Sequence, residues 1–378
     1  MVAETSAAAP VERPPRSVVG PIAWMRDNLF STWGNTVLTA IGLLIAYWVV
    51  STVVSWGILT ATFTGADGSA CTREGAGACW PFITAKFAQF MYGRYPDEER
   101  WRVDLVYLLA LAGLVPLMIP RVPGKFWNAV YVFAVFPVLA FFLLVGGVLG
   151  LPHVDTSLWG GLLVTLVVAT VGITGSFPIG ILLALGRRSK MPIVRWVSVG
   201  FIEFVRGVPL ITVLFMASVM LPLFLPPGMS FDKLLRALIG VALFSAAYLA
   251  ETVRGGLQAI PRGQFEAAEA LGLSYPKRMA FVILPQALKL VIPGIIGSFI
   301  GLFKDTSLVL IIGLFDLLGI VQLNTADQKW FSPTTAMTGY VFAGFVFWLL
   351  CFFMSRYSQM IERRLATGHE RTGPAKAG

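Results

Sequence analysis

Long apolar runs alternate along the chain with short clusters of Arg, Lys, Gly and Pro. Crossing about 30 Å of hydrocarbon takes roughly 20 apolar residues. About eight runs qualify: 36–59, 104–120, 127–150, 158–185, 208–226, 234–253, 290–313 and 336–355. The pattern predicts an all-α membrane protein of about eight transmembrane helices. Residues 1–30 carry Pro10, Pro14 and Pro15 and no apolar run, so they read as a flexible tail, and 366–378 read as a second tail on the same, cytoplasmic side. A cleaved signal peptide is not expected, because the first apolar run starts too late and is too long.

Composition agrees with this pattern. Of 378 residues, 56% are hydrophobic and 13% charged, and mean hydropathy is +0.76. A soluble chain needs about a quarter charged residues to cover its surface, so a soluble enzyme is excluded. The net charge of +9 raises the question of nucleic acid, and the placement of the charges answers it. Lys and Arg gather in alternate inter-span segments, as they do on the cytoplasmic side of membrane proteins: Arg121 and Lys125, then Arg187, Arg188, Lys190, Arg195 and Arg206, then Arg254, Arg262, Lys277, Arg278 and Lys289, then Arg356, Arg363 and Arg364. Both termini are therefore expected in the cytoplasm, with membrane lipid and not nucleic acid as surroundings. The long segment 60–102 is expected on the outside, where its bases are balanced by acids.

Cys71 and Cys79 lie in that segment, separated by a Gly-rich stretch that can turn back on itself, and are expected to form a disulfide on the oxidising outer side, with two free thiols as the alternative. Cys351 falls inside the last span as a small hydrophobe. Three cysteines and two histidines without further ligand spacing predict no metal site.

Polar residues gather around the last five spans. Glu203, Arg206, Glu251 and Arg254 either snorkel to the headgroups or serve function. Lys304 and Asp305 fall within the seventh apolar run. Adjacent helical residues point about 100° apart and cannot pair ideally, so each needs a partner elsewhere, a break in the helix, or a watery cavity. Thr306 and Ser307 add hydroxyls, and Gly297 and Gly301 would let another helix approach. These residues either form a polar knot that orients helices or line a solute path.

The segment 254–289 reads as two short helices. The first runs from about Gln264 to Leu271 and stops at Gly272; Glu266 and Glu269 are expected in its first turns, the favourable end of its dipole. The second is opened by Ser274 and Pro276. Ala267, Ala268 and Ala270 give the first helix a small-residue surface able to seat in a cleft of another protein.

The run EAAEALGLSYPKRMAFVILP resembles the permease signature of bacterial ABC importers, with Glu266, Ala267, Ala268, Gly272, Leu284 and Pro285 matching and Val282 standing where the pattern has Ile. WGGLLVTL (159–166), FIEFVRGVPL (201–210), AYLAETVRGGLQAIPRGQ and KDTSL resemble permeases of polar amino-acid uptake systems. The part before them is similar to the longer permeases of general L-amino-acid and glutamate/glutamine/aspartate importers. The resemblance implies a five-span permease core over 157–365, preceded by a three-span extension over 31–156 that scaffolds on its outside. It implies a bacterial inner-membrane transporter subunit, not an enzyme. The implied partners are a cytoplasmic ABC ATPase dimer docking on Glu266, Ala267, Ala268 and Gly272, a periplasmic substrate-binding protein, and a second related permease. No G-x-x-x-x-G-K-[ST] loop occurs in the chain, so ATP and magnesium are expected on the partner and no cofactor here. Lys304, Asp305, Thr306, Ser307, Glu251 and Arg206 are the candidates for the substrate path. The competing expectation is an ion- or proton-coupled secondary transporter using Lys304, Asp305 and Glu251, against which stands the lack of an inverted repeat.

Overall fold

The computed structural model describes residues 20–119, 121–148, 150–226 and 231–366, so most of both expected tails lies outside the described residues. Within them the chain is helical with isolated β-bridges and no strand. In chain order the helices are α1 (Pro21–Leu29), α2 (Trp33–Leu59), α3 (Trp80–Tyr92), α4 (Asp97–Met118), α5 (Lys125–Val145), α6 (Leu162–Arg187), α7 (Pro192–Gly207), α8 (Leu210–Phe224), α9 (Lys233–Ala259), α10 (Arg262–Ala270), α11 (Tyr275–Ile312), α12 (Leu317–Thr325) and α13 (Thr335–Ala366). Seven are long and apolar enough to cross a membrane, and α7 with α8 makes an eighth span if that bent pair is counted as one. The all-α membrane architecture expected from hydropathy is thus observed, with five differences.

The first difference is at the start: residues 21–29, expected to be flexible, form α1. Pro21 in its first turn needs no helical N–H partner, and the Thr39 hydroxyl donates to the Leu29 carbonyl, tying α1 to α2. Second, α3 is a helix inside the long segment 60–102, for which no helix is expected. It is too short to span but buries Phe82, Ile83 and Phe90. Third, α4 begins at Asp97 and not at 104, because Arg102, fully buried, pairs with Glu99 at 2.6 Å and donates to the carbonyls of Leu143 and Pro152. Fourth, the second short helix of 254–289 is the start of α11, which continues through a π-helical turn at Met279–Ile283. That wide turn directly precedes Pro285, whose missing N–H an ordinary α-helix would not accommodate without a kink.

The fifth predicted span is also not a simple rod. α8 has 15 residues by its bounds, about 23 Å of helix, short of the hydrocarbon thickness. It is joined through Val208 and Pro209 to α7 at a bend of 107°. Pro209 has no N–H to continue the helix, and Val208 before it adopts the extended conformation that a following proline favours.

The core is formed by α6, α9 and α11. Small residues on α6 allow this closeness: a side chain at Gly172 would meet Leu302 and Val241, and one at Gly180 would meet Leu249. The extension is joined to this core through shared apolar clusters. Val103, Val106, Phe136 and Leu144 pack with Leu163, Val164 and Val168, and Phe82 and Phe90 pack with Leu317, Ile320 and Trp330. By contrast α2 buries none of its residues in this chain.

Candidate coupling and solute-path residues

The bundle has two unlike ends: a basic end, where α6 and α9 finish and α10 lies, and a disulfide end carrying Cys71 and Cys79. At the basic end, α10 stops as its sequence dictates. Gly272 has φ of +73°, its N–H donates to Glu269 O, and the Leu273 N–H donates to Ala268 O, satisfying carbonyls that a helix end leaves free. One side of α10 is braced. Ala268 is buried, Phe265 packs into the cluster of Ile260, Met279 and Ile283, and the Arg188 guanidinium lies 5.5 Å over the Phe265 ring. Glu269 pairs with Arg278 of α11 at 2.6 Å, and Gln286 donates to Gln264. The other side, with Glu266, Ala267, Ala270 and Leu271, is exposed. Because α10 starts at Arg262, Glu266 and Glu269 lie beyond its first turn, so the dipole does not explain them; the inter-helix pair accounts for Glu269.

The six candidate path residues fall into two groups. Arg206 and Glu251 belong to an ion cluster at the basic end: Glu251 meets Arg187 at 3.0 Å, Arg254 at 2.8 Å and Arg206 at 3.7 Å, and Arg187 also meets Glu203 at 2.8 Å. Arg206 lies over the Tyr248 ring. Lys304, Asp305, Thr306 and Ser307 sit elsewhere, where α11 changes from α-helical to 3₁₀ winding at Thr306. The Thr306 hydroxyl donates to Phe303 O and that of Ser307 to Lys304 O, so both bond locally. Lys304 is exposed and Asp305 half-buried, and among the described residues neither joins an ion pair. Thr252 packs beside Gly294, which puts the ion cluster about ten residues of α11, or ~15 Å, from Lys304. The structure does not bring the two groups together.

The α11 face leading to Lys304 is open. Gly297 and Gly301, like Lys304, are exposed, and a side chain added at either glycine would meet nothing among the described residues.

At the disulfide end Cys71 and Cys79 are bonded, with Cα atoms 5.7 Å apart. The loop they close sits on the core: the Cys79 N–H donates to Thr338 Oγ1, Gly68 abuts Trp330, and Lys86 pairs with Asp327 at 2.5 Å, holding that carboxyl below the ordinary range through the bond to Lys86. Sequence reading missed Asp316. It is fully buried and caps α12 by accepting from the N–H groups of Leu318 and Gly319. Burial pushes its carboxyl up to about 6 against these bonds.

The family of binding-protein-dependent transport system inner membrane components matches residues 176–367. The chain is 54% identical to the inner membrane amino-acid ABC transporter permease protein YhdY of Escherichia coli K12, over 92% of this chain and 94% of that one. It is 42% identical to the glutamate/glutamine/aspartate/asparagine transport system permease protein BztC of Rhodobacter capsulatus, over 94% and 96%. The crystal structure of an amino acid ABC transporter with histidines is 29% identical over 54% of this chain and 92% of that chain, with a TM-score of 0.47. The chain belongs to the binding-protein-dependent transport system inner membrane components. It is a multi-span permease subunit of an ABC importer, a transporter component and not an enzyme, and it works with an ATPase and a substrate-binding protein. The secondary-transporter alternative finds no support.

Proposed function

We propose that this chain conducts polar L-amino acids in an ATP-driven importer, with its basic end and both termini in the cytoplasm. The observation that carries the substrate class is its identity, over nearly the whole of both chains, to a permease named for amino-acid transport. The Lys and Arg asymmetry supports the orientation. On this reading the exposed side of α10, with Glu266 and Ala267, seats on the ATPase dimer, which holds ATP and magnesium, while Ala268 and Gly272 fix the helix beneath. The ties from α10 to α11 carry its motion into the spans.

The open face of Gly297, Gly301 and Lys304 supports a second related permease closing the path from the other side. A zwitterion entering that path sheds water from both charged groups, which is prohibitive unless opposite charges replace it. Lys304 and Asp305, unpaired with other ions among the described residues, offer one charge of each sign beside a break in helical winding. Residues 31–156 scaffold the core, and the disulfide end meets the periplasmic binding protein. The test is uptake of labelled polar L-amino acids by the reconstituted complex. Asp305→Asn should lower uptake per assembled complex about tenfold or more, a loss of ~1.4 kcal/mol or more, with melting unchanged. A lowered melting temperature with normal uptake per complex would assign Asp305 to helix orientation and refute the path.

A further inference from the structure

Where α6 ends, α7 begins and α9 ends, the helices border an open pocket of about 370 Å³ lined by Arg187, Arg188, Arg195, Val199, Arg254 and Gln258. Four arginines line it. Arg187 and Arg254 are tied to Glu251, and Arg188 donates to the Leu257 carbonyl at 2.9 Å. Arg195 is exposed; its backbone N–H donates to the Met191 carbonyl at the start of α7, and among the described residues its guanidinium makes no hydrogen bond, ion pair or ring contact. With Arg206, five arginines stand against the two carboxylates of Glu203 and Glu251, leaving three positive charges in excess. Clustered like charge draws a counter-anion, and the guanidinium fork matches the paired oxygens of a phosphate. The volume is roughly that of a dozen waters, enough for a phosphodiester headgroup.

The remainder of α7 indicates where such a phosphate would come from. Arg195 and Val199, one turn apart, face the pocket, while Ile193 and Trp196 are each 79% exposed, with Val197 and Phe204 at 66% and 65%. A dissolved anion gains nothing from these apolar side chains. A lipid gains from both surfaces, and tryptophan is enriched at the membrane–water interface. We propose that this pocket binds the phosphate headgroup of an anionic phospholipid whose acyl chains lie along the exposed apolar side of α7. The site does not depend on which side of the membrane the basic end faces.

The test uses the purified permease–ATPase complex in detergent, offered phosphatidylglycerol, phosphatidylcholine or inorganic phosphate. The readouts are retained lipid by native mass spectrometry and the melting temperature. Wild type should retain phosphatidylglycerol over phosphatidylcholine. Arg195→Gln should weaken that retention about fivefold, and Arg195→Lys should restore most of it. Equal retention of the two lipids, or wild-type retention by Arg195→Gln, overturns the proposal. It is also overturned if inorganic phosphate alone raises melting as much as phosphatidylglycerol, which assigns the pocket to a free anion. Release of the ATPase by Arg195→Gln with lipid retention intact assigns the arginine to that subunit and equally overturns it.

Discussion

The basic end and the disulfide end hold their helices together by different means. At the disulfide end the principal ties are buried: Arg102 with no exposed side-chain surface, Asp316 capping α12 from inside, and a cross-linked loop seated on Thr338 and Trp330, with the Lys86–Asp327 pair partly open beside them. At the basic end the hub Glu251 is 15% exposed, but its outer partners are open to solvent, Glu203 at 56% and Arg206 at 38%, as is Glu269 at 72%. Exposed pairs each contribute about 0–1 kcal/mol and can exchange partners, whereas breaking a buried pair costs about 3–5 kcal/mol. One end is therefore a fixed frame and the other an adjustable joint, a division that suits a subunit driven from one side only.

The sharpest way to break this comparison is Arg102→Met, which strands Glu99 and removes donors from two carbonyls. It should lose about 3–5 kcal/mol, read as a large drop in melting temperature. Next is the proton at Asp316. Its carboxyl is harder to ionise folded than unfolded, so the folded chain keeps the proton up to about pH 6 and the unfolded chain only to the ordinary 3.8. Stability should fall as pH rises through that window, by on the order of 3 kcal/mol, and be level above it. Asp316→Asn keeps an acceptor for the cap and should remove this slope from the pH profile of melting. An identical profile would leave the frame without its buried acid. Replacing both cysteines by Ser, or adding reductant, should cost about 2–3 kcal/mol for so short a loop, again in melting. Gly272→Val tests the joint: positive φ costs a β-branched residue about 1–3 kcal/mol, paid locally at the end of α10. Melting should change little while ATPase co-purification falls several-fold. Unchanged association would remove the coupling role.

Most spans were legible because a membrane demands long apolar runs, and the end of α10 was legible because Gly272 is the residue a left-handed position calls for. The start of α11 at Ser274 was legible too, but not its continuity with the seventh span. Residues 275–289 contain Lys277, Arg278, Pro276 and Pro285, which break hydropathy and suggest a short helix that ends before the apolar run begins, whereas the π-helical turn at Met279–Ile283 carries one helix through Pro285. Pairings between elements were equally hidden. Nothing local to Glu251 announces Arg187, which lies on another helix, and nothing local to Asp316 says that its surroundings are dry. Glu269 was assigned a role by a dipole argument that a helix start two residues earlier undoes.

The disulfide also carries a consequence for the order of assembly. Its cysteines are eight residues apart, while Cys79 docks on a hydroxyl 259 residues further along the chain. At synthesis rates of about 5–20 residues per second, that interval is roughly 13–50 s. The loop can thus be cross-linked before its seat has left the ribosome, so the last span arrives at a surface that is already complete.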